Sequence, residues 1–125
     1  MRSPRHFRRA ALIGAAAASL LGLAGCAPAQ AAYCADINAS RLSAVTYTSY
    51  IGDVPPAAWA EPRIELLDAV GAPTDELESE HETWLTYLHD LAGYGELDPS
   101  ALKLSTGEVD AARQALFDNY VEACL

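Results

Sequence analysis

The sequence is short of basic residues over most of its length. Only eight of its 125 residues are lysine or arginine, and four of these lie within residues 1–9. After Cys26, four basic residues oppose all 17 acids, which leaves a net charge of −13 on this part of the chain. Such a charge repels nucleic acids and anionic lipid head groups, so we expect no nucleic-acid partner and no polybasic membrane patch. The four basic residues are Arg41, Arg63, Lys103 and Arg113.

The sequence also lacks catalytic motifs. It has no GxSxG or Ser-x-x-Lys nucleophile motif, no phosphate-binding glycine loop and no calcium-binding EF-hand pattern. His81-Glu82 begins like the helical motif of zinc proteases, but Leu85 stands where the second histidine is needed. We therefore expect a protein that is not an enzyme, with no cofactor and no bound metal.

Only one long apolar run is present, and it lies near the start of the chain. It covers the 15 residues from Ala10 to Ala24 and follows an arginine-rich segment. Its last two residues begin the tetrapeptide Leu23-Ala24-Gly25-Cys26. A basic start, a short apolar middle and a small-residue end are the three parts of a secretory signal peptide. The run is shorter than the roughly 20 residues of a membrane-spanning helix, although an uncleaved membrane helix is the alternative.

The tetrapeptide Leu23-Ala24-Gly25-Cys26 resembles the lipobox of bacterial lipoprotein signal peptides. The resemblance implies that residues 1–25 are removed and that Cys26 carries a diacylglycerol. It also implies that the protein is anchored by this lipid at the extracytoplasmic face of the cell membrane. A competing motif, Ala29-Gln30-Ala31, predicts cleavage before Ala32 and a freely secreted protein instead.

Cysteine is scarce, with three residues in the chain. If Cys26 carries the lipid, Cys34 and Cys124 remain as an even pair. Exported proteins favour disulfides, so we expect these two residues to be bonded, and two unpaired thiols are the alternative. The cysteines show no CxxC or Cys/His spacing that would indicate zinc.

The rest of the chain predicts an all-α fold, a small bundle of three or four helices with one disulfide. Residues 26–33 are expected to be a short tether and residues 34–125 a single helical domain. Short connections favour antiparallel neighbours, which would bring the two cysteines together at one end of the bundle.

Four segments carry helical signals. Residues 57–70 and 74–92 have apolar stripes, the second with Thr74 as a possible cap, and residues 105–124 begin with a capping box between Ser105 and Glu108. Residues 36–51 are ambiguous, because helical spacing competes with a β-branched and aromatic run at 45–51. We expect a helix there, since a lone strand has no partner. Asp98-Pro99 predicts a capped single turn.

The candidate binding residues are aromatic residues and one histidine. Tryptophans and tyrosines are numerous enough to line a groove for a ligand or partner as well as to fill a core. His81 lies within an apolar stripe, which is more typical of a hydrogen-bonded core residue than of a ligand-binding one. The candidates are Trp59, His81, Trp84 and Tyr87. The three aromatic candidates belong to a larger group of tryptophans and tyrosines that also contains Tyr47, Tyr50 and Tyr94.

A weaker alternative is a divalent-metal site on one helix edge, formed by Glu78, Glu82 and His89. A solvated helix edge explains the same pattern.

Taken together, the signal peptide, the acidic charge and the absence of catalytic motifs lead us to expect a lipid-anchored, non-catalytic envelope protein that binds an envelope protein or a small ligand. A secreted or anchored regulator of an envelope enzyme, inhibitor-like or immunity-like, is the alternative function.

Overall fold

The computed structural model describes residues 27–95 and 97–125. Regular structure in these two ranges is entirely helical, with four α-helices separated by three 3₁₀ turns. The predicted all-α bundle is therefore confirmed. The predicted signal peptide and lipid-bearing Cys26 lie outside the described residues. The helices are α1 (Ala27–Ala39), α2 (Ala57–Val70), α3 (Glu78–Ala92) and α4 (Gly107–Cys124), and the turns are Ser43–Val45, Asp75–Leu77 and Pro99–Leu104.

Helix α3 lies at the centre of the bundle, because it packs against both α2 and α4. Helix α1 packs against α4 and, less extensively, against α2. The core forms where the inner faces of these helices meet, and its largest side chains are fully enclosed. They are Trp84, Tyr47, Tyr120, Ile37, Leu67, Leu88, Leu91 and Leu116. None of the described helices is both long enough and apolar enough to cross a membrane.

The predicted disulfide is confirmed and joins α1 to the last turn of α4. Cys34 and Cys124 are bonded, with their Cα atoms 5.1 Å apart. A second contact joins the same helices: Asn38 accepts a 2.6 Å hydrogen bond from the Tyr120 hydroxyl. Asn38 lies four residues after Cys34 on α1, and Tyr120 lies four residues before Cys124 on α4. The paired residues follow opposite orders along the two helices, so α1 and α4 are antiparallel, as expected for short connections.

The first helix begins earlier than the sequence indicated. The residues 27–33, expected to form a tether, are instead the first two turns of α1, and Tyr33 is buried. Alanine is the strongest helix former, and four of these seven residues are alanine. Residues 27–33 therefore belong to the helical body.

The prediction of a helix over residues 36–51 is wrong. Helix α1 ends at Ala39, the only helical structure that follows before α2 is the short 3₁₀ turn Ser43–Val45, and residues 46–51 form neither a helix nor a strand. The Ser40 hydroxyl donates to the Ile37 carbonyl at 2.7 Å and accepts from the Ser43 N–H at 3.0 Å. These bonds offer the backbone an alternative to the helical ladder, and Ser43 then takes a positive φ of 40°. Residues 40–56, the connecting segment, are therefore mostly irregular.

The remaining helices lie where they were predicted, with corrections at two caps. Helix α2 runs through Pro62 and has the predicted bounds. A 3₁₀ turn precedes α3, and Thr74 makes no side-chain capping bond. Helix α4 is capped by Thr106, whose hydroxyl accepts from the Val109 N–H at 3.3 Å, so the capping box based on Ser105 is wrong by one residue. Asp98 caps its predicted turn through the Ser100 N–H at 2.9 Å.

Candidate functional site

An open groove lies between the connecting segment, α2, α3 and the first turns of α4. Its cavity volume is about 140 Å³. Its larger apolar lining residues are four aromatic and two aliphatic side chains, and we call this region the aromatic groove. These six are Tyr50, Trp59, Trp84, Tyr87, Leu102 and Val109, and Pro55 and Ala101 complete the apolar lining.

The aromatic side chains form one continuous row from the core to the surface. Tyr50 meets Trp59 edge to face with ring centroids 5.7 Å apart, and Trp59 meets Trp84 in the same way at 6.3 Å. Trp84 then stacks on Tyr87 at 5.1 Å. Trp84 and Tyr87 are buried, whereas Tyr50 and Trp59 are half-buried. Such pairs add about 0.5–1.5 kcal/mol each beyond their buried area, so the row is a stable wall.

Arg63 fixes the middle of this wall. Its guanidinium lies 4.1 Å from the centroid of the Trp59 ring, and it donates to the Trp59 carbonyl at 2.8 Å. A further bond of 3.0 Å reaches the Val45 carbonyl in the connecting segment. Burial lowers the pKa of Arg63 from its ordinary value. The charge is stabilised there by two carbonyl oxygens and the π face of the indole.

Arg113 holds the connecting segment from the other side. It donates to the Tyr47 carbonyl at 3.1 Å and forms an ion pair with Asp110 at 2.7 Å. Two of the four basic residues after Cys26 thus donate to carbonyl oxygens of the connecting segment. A segment that is mostly irregular outside its one 3₁₀ turn is fixed in this way by donors from distant parts of the chain.

Tyr47 anchors the same segment in the core. Its side chain is fully buried, and its hydroxyl is hydrogen-bonded to that of Tyr33 on α1. Burial raises the pKa of Tyr33 to about 12, and it raises the pKa of Tyr47 as well. Both hydroxyls therefore stay neutral in the folded protein at physiological pH.

Gly52 is required by the position of Tyr50. Its φ is +153°, and a Cβ atom added there would lie 2.5 Å from Cε1 of the Tyr50 ring. A side chain at residue 52 would force the ring away from the groove and would also strain the backbone. The Tyr50 ring can therefore take this position because residue 52 is glycine.

Carboxylates and exposed apolar side chains surround the opening of the groove. Asp53 and Asp110 are exposed polar lining residues, and the charge of Arg113 is paired with Asp110. Leu102 is 50% exposed, and Ile51, between two lining residues, is 97% exposed. Aromatic and aliphatic contact area beside carboxylates is suited to noncovalent recognition of another molecule.

The structure brings three of the four predicted binding residues together. Trp59, Trp84 and Tyr87 line the aromatic groove, but His81 does not. His81 is buried in the core, burial lowers its pKa, and its Nδ1 makes no hydrogen bond to another described residue. His81 therefore lies in the core as predicted, but its Nδ1 does not make the hydrogen bond that was expected of a core histidine.

The predicted helix-edge residues do not form a metal cluster. Within residues 27–95 and 97–125, no three His, Cys, Asp or Glu side chains are grouped so as to hold a metal ion. His89 instead lies 3.6 Å from Asp68 on α2. The three edge residues Glu78, Glu82 and His89 are all exposed.

Several groove residues were missed by sequence reasoning. Asp53, Leu102, Asp110 and Arg113 line the groove through contacts between distant parts of the chain. The scarcity of basic residues was the one signal for Arg113, because each of the four cations after Cys26 has many acids as potential partners within the fold. Nothing local in the sequence distinguished Asp53 from the other acids.

A wider cleft of about 630 Å³ lies between α1 and the α2–α3 connection. Its lining includes the small side chains of Ala29, Ala32 and Ala72 together with acids such as Asp36 and Glu76. Small side chains offer little contact area, whereas tryptophan and tyrosine supply most of the energy at binding sites. The aromatic groove is therefore the better candidate site.

Comparisons of the chain with models of protein families, with curated proteins and with solved structures found no match.

Proposed function

We propose that this protein is a non-catalytic binding module of the cell envelope, held at the outer face of the membrane by a lipid on Cys26, and that the aromatic groove is its binding site. The observation that carries the proposal is the row of aromatic side chains that opens to solvent beside Asp53 and Asp110. Half-buried tyrosine and tryptophan are typical of binding surfaces.

The size of the groove favours a protein partner over a free small molecule. Sites for whole drug-sized ligands usually measure about 300–1,000 Å³. The aromatic groove, at about 140 Å³, accommodates one side chain. Exposed Ile51 and Leu102 beside it extend the apolar contact area to a larger partner.

The position of the groove along the bundle is also compatible with a membrane-anchored role. Ala27, the first described residue of α1, directly follows the proposed anchor in the sequence, and α1 runs antiparallel to α4. The groove is lined by Val109 and Arg113, near the start of α4, whereas Cys124 ends that helix beside α1. At 1.5 Å rise per residue, the groove lies roughly 25–30 Å from Ala27 along the bundle. With a lipid anchor on Cys26, the groove would therefore lie at the end of the bundle that is distant from the anchor.

Fractionation tests the anchor. The wild-type protein is expected with membranes, because two or more acyl chains give stable attachment. The Cys26→Ala variant is expected to be soluble or to remain unprocessed. Wild-type protein recovered in solution with Ala32 as its first residue would contradict the lipid anchor but not the binding role.

Photo-crosslinking in intact cells tests the groove. A photoreactive amino acid at Ile51 or Leu102 is expected to give one discrete crosslinked species, because both flank the opening. The same group at Val121, which is 43% exposed on the last turns of α4, is the matched control. The species from Ile51 should disappear when Tyr50 is replaced by leucine. Equal crosslinking from Val121, or crosslinking insensitive to Tyr50→Leu, would show that the groove is not the site.

A further inference from the structure

We infer that the aromatic groove receives a lysine or arginine side chain from a basic segment of the partner protein. The inference rests on the proposed function and specifies the chemistry of the partner. Three features support it: electron-rich aromatic faces, unpaired negative charge at the opening, and a volume that matches one long side chain.

The aromatic row is suited to a cation, and one of its rings already contacts one. Arg63 lies 4.1 Å from the Trp59 ring centroid, from within the protein. Tyr50 and Trp59 line the groove and are half-buried, so part of each side chain is accessible to solvent. The negative faces of such rings attract ammonium and guanidinium groups.

The charge at the opening favours a cation over an anion. Asp53 has no ion-pair partner among the described residues, and Asp110 is paired only with Arg113. The Arg113 side chain is only 14% exposed and also donates to the Tyr47 carbonyl, so it is poorly placed to bind an anion. The charge of −13 after Cys26 further repels anions and steers basic partners toward the protein.

The shape of the groove matches the two parts of a lysine or arginine side chain. Leu102 and Val109 provide aliphatic contact for the methylene stem, and Asp53 is a polar lining residue available to the charged head. Long cationic side chains bind in this way, with a buried stem and a head that remains hydrated. A cavity of about 140 Å³ has room for one such side chain.

Peptide titration of the full-length protein in nanodiscs of neutral lipid tests the inference. The probes are a glycine-spaced trilysine peptide, the same peptide with norleucine in place of lysine, and a chitin oligosaccharide as a neutral sugar. Binding is followed by tryptophan fluorescence. The lysine peptide should bind more tightly than the norleucine peptide by about tenfold or more, since the norleucine peptide lacks the charge. Its affinity should decrease as salt rises.

Matched variants locate the interaction. Tyr50→Leu should weaken lysine-peptide binding by about fivefold, and Tyr50→Phe should retain it, because phenylalanine keeps the ring. Asp53→Asn should weaken binding by several-fold at low salt, whereas Glu65→Gln, which removes an exposed acid that does not line the groove, should not. Asp53 is exposed in an irregular segment, so its variant tests the inference even if Tyr50→Leu fails to fold.

The outcomes separate the two proposals. If the norleucine peptide or the sugar binds as well as the lysine peptide and depends on Tyr50, the cation inference is wrong and the groove remains a binding site. If Glu65→Gln weakens binding as much as Asp53→Asn does, the peptide binds through general acidity, and the inference is again wrong. If no probe and no crosslinked partner depends on Tyr50, the proposed function fails as well.

Discussion

Removal of the disulfide between Cys34 and Cys124 should cost a large part of the stability of this domain. The bond closes a loop with a sequence separation of 90 residues, nearly the whole helical body. In the chain-entropy model, a loop of this length restricts the unfolded state by about 4–5 kcal/mol. Small domains are stable by only about 5–15 kcal/mol in total, so the loss is substantial.

The double variant Cys34→Ala/Cys124→Ala is the direct test, because it leaves no free thiol at either position. Urea unfolding can be followed by the fluorescence of Trp59 and Trp84. We expect a decrease of about 4 kcal/mol in the free energy of unfolding, and a melting temperature lower by about 20 °C. The denaturant slope should increase, because an unfolded chain without the bond exposes more surface.

Asn38→Ala is the control for the same junction of α1 and α4. It removes the bonds to the Tyr120 hydroxyl and to the Cys124 carbonyl, at 2.6 and 3.2 Å, without changing the covalent loop. It should cost about 1–3 kcal/mol with an unchanged slope. A double cysteine variant that loses less than about 1 kcal/mol with an unchanged slope would refute the entropic argument.

Three further predictions concern the buried polar groups Arg63, His81 and Tyr33. Arg63→Leu should lower the free energy of unfolding by about 2–3 kcal/mol in urea titrations, because two carbonyls lose a charged donor, and Arg63→Lys should not restore it. Burial lowers the pKa of His81, so stability should be constant above about pH 6.5 and decrease below it; His81→Gln should flatten this acid decrease in melting experiments. Burial raises the pKa of Tyr33 to about 12, so stability should be constant below about pH 10 and decrease between pH 10 and 12; tyrosinate absorbance and Tyr33→Phe check this.

Local signals in the sequence were sufficient for most of the helices. The bounds of α2 follow from an apolar stripe that ends in Gly71 and Pro73, and the turn at Pro99–Leu104 follows from the capping residue Asp98. Both depend on residues within a few positions of each other. The cysteine pairing was also accessible, because only one even pair remains once Cys26 is assigned to the lipid.

The connecting segment was inaccessible to the same reasoning. Its conformation depends on Arg63, which reaches Val45 across 18 positions, and on Arg113, which reaches Tyr47 across 66 positions. The β-branched run at 45–51 favours a strand locally, yet the carbonyls of Val45 and Tyr47 bond to arginine side chains instead. Propensity is a weak determinant where long-range hydrogen bonds and burial are available.

The sequence by itself determined the helical class, three of the four long helices and the identity of the cysteine pair, because capping, helical periodicity and cysteine number act locally or by count. Only the tertiary structure decided that Tyr50, Trp59, Trp84 and Tyr87 form one row, and that Asp53 and Asp110 lie at its opening. A row of this kind joins the connecting segment, α2 and α3. Its formation therefore depends on how helices pack and on which distant donors satisfy an irregular backbone, and neither is encoded in any single stretch of residues.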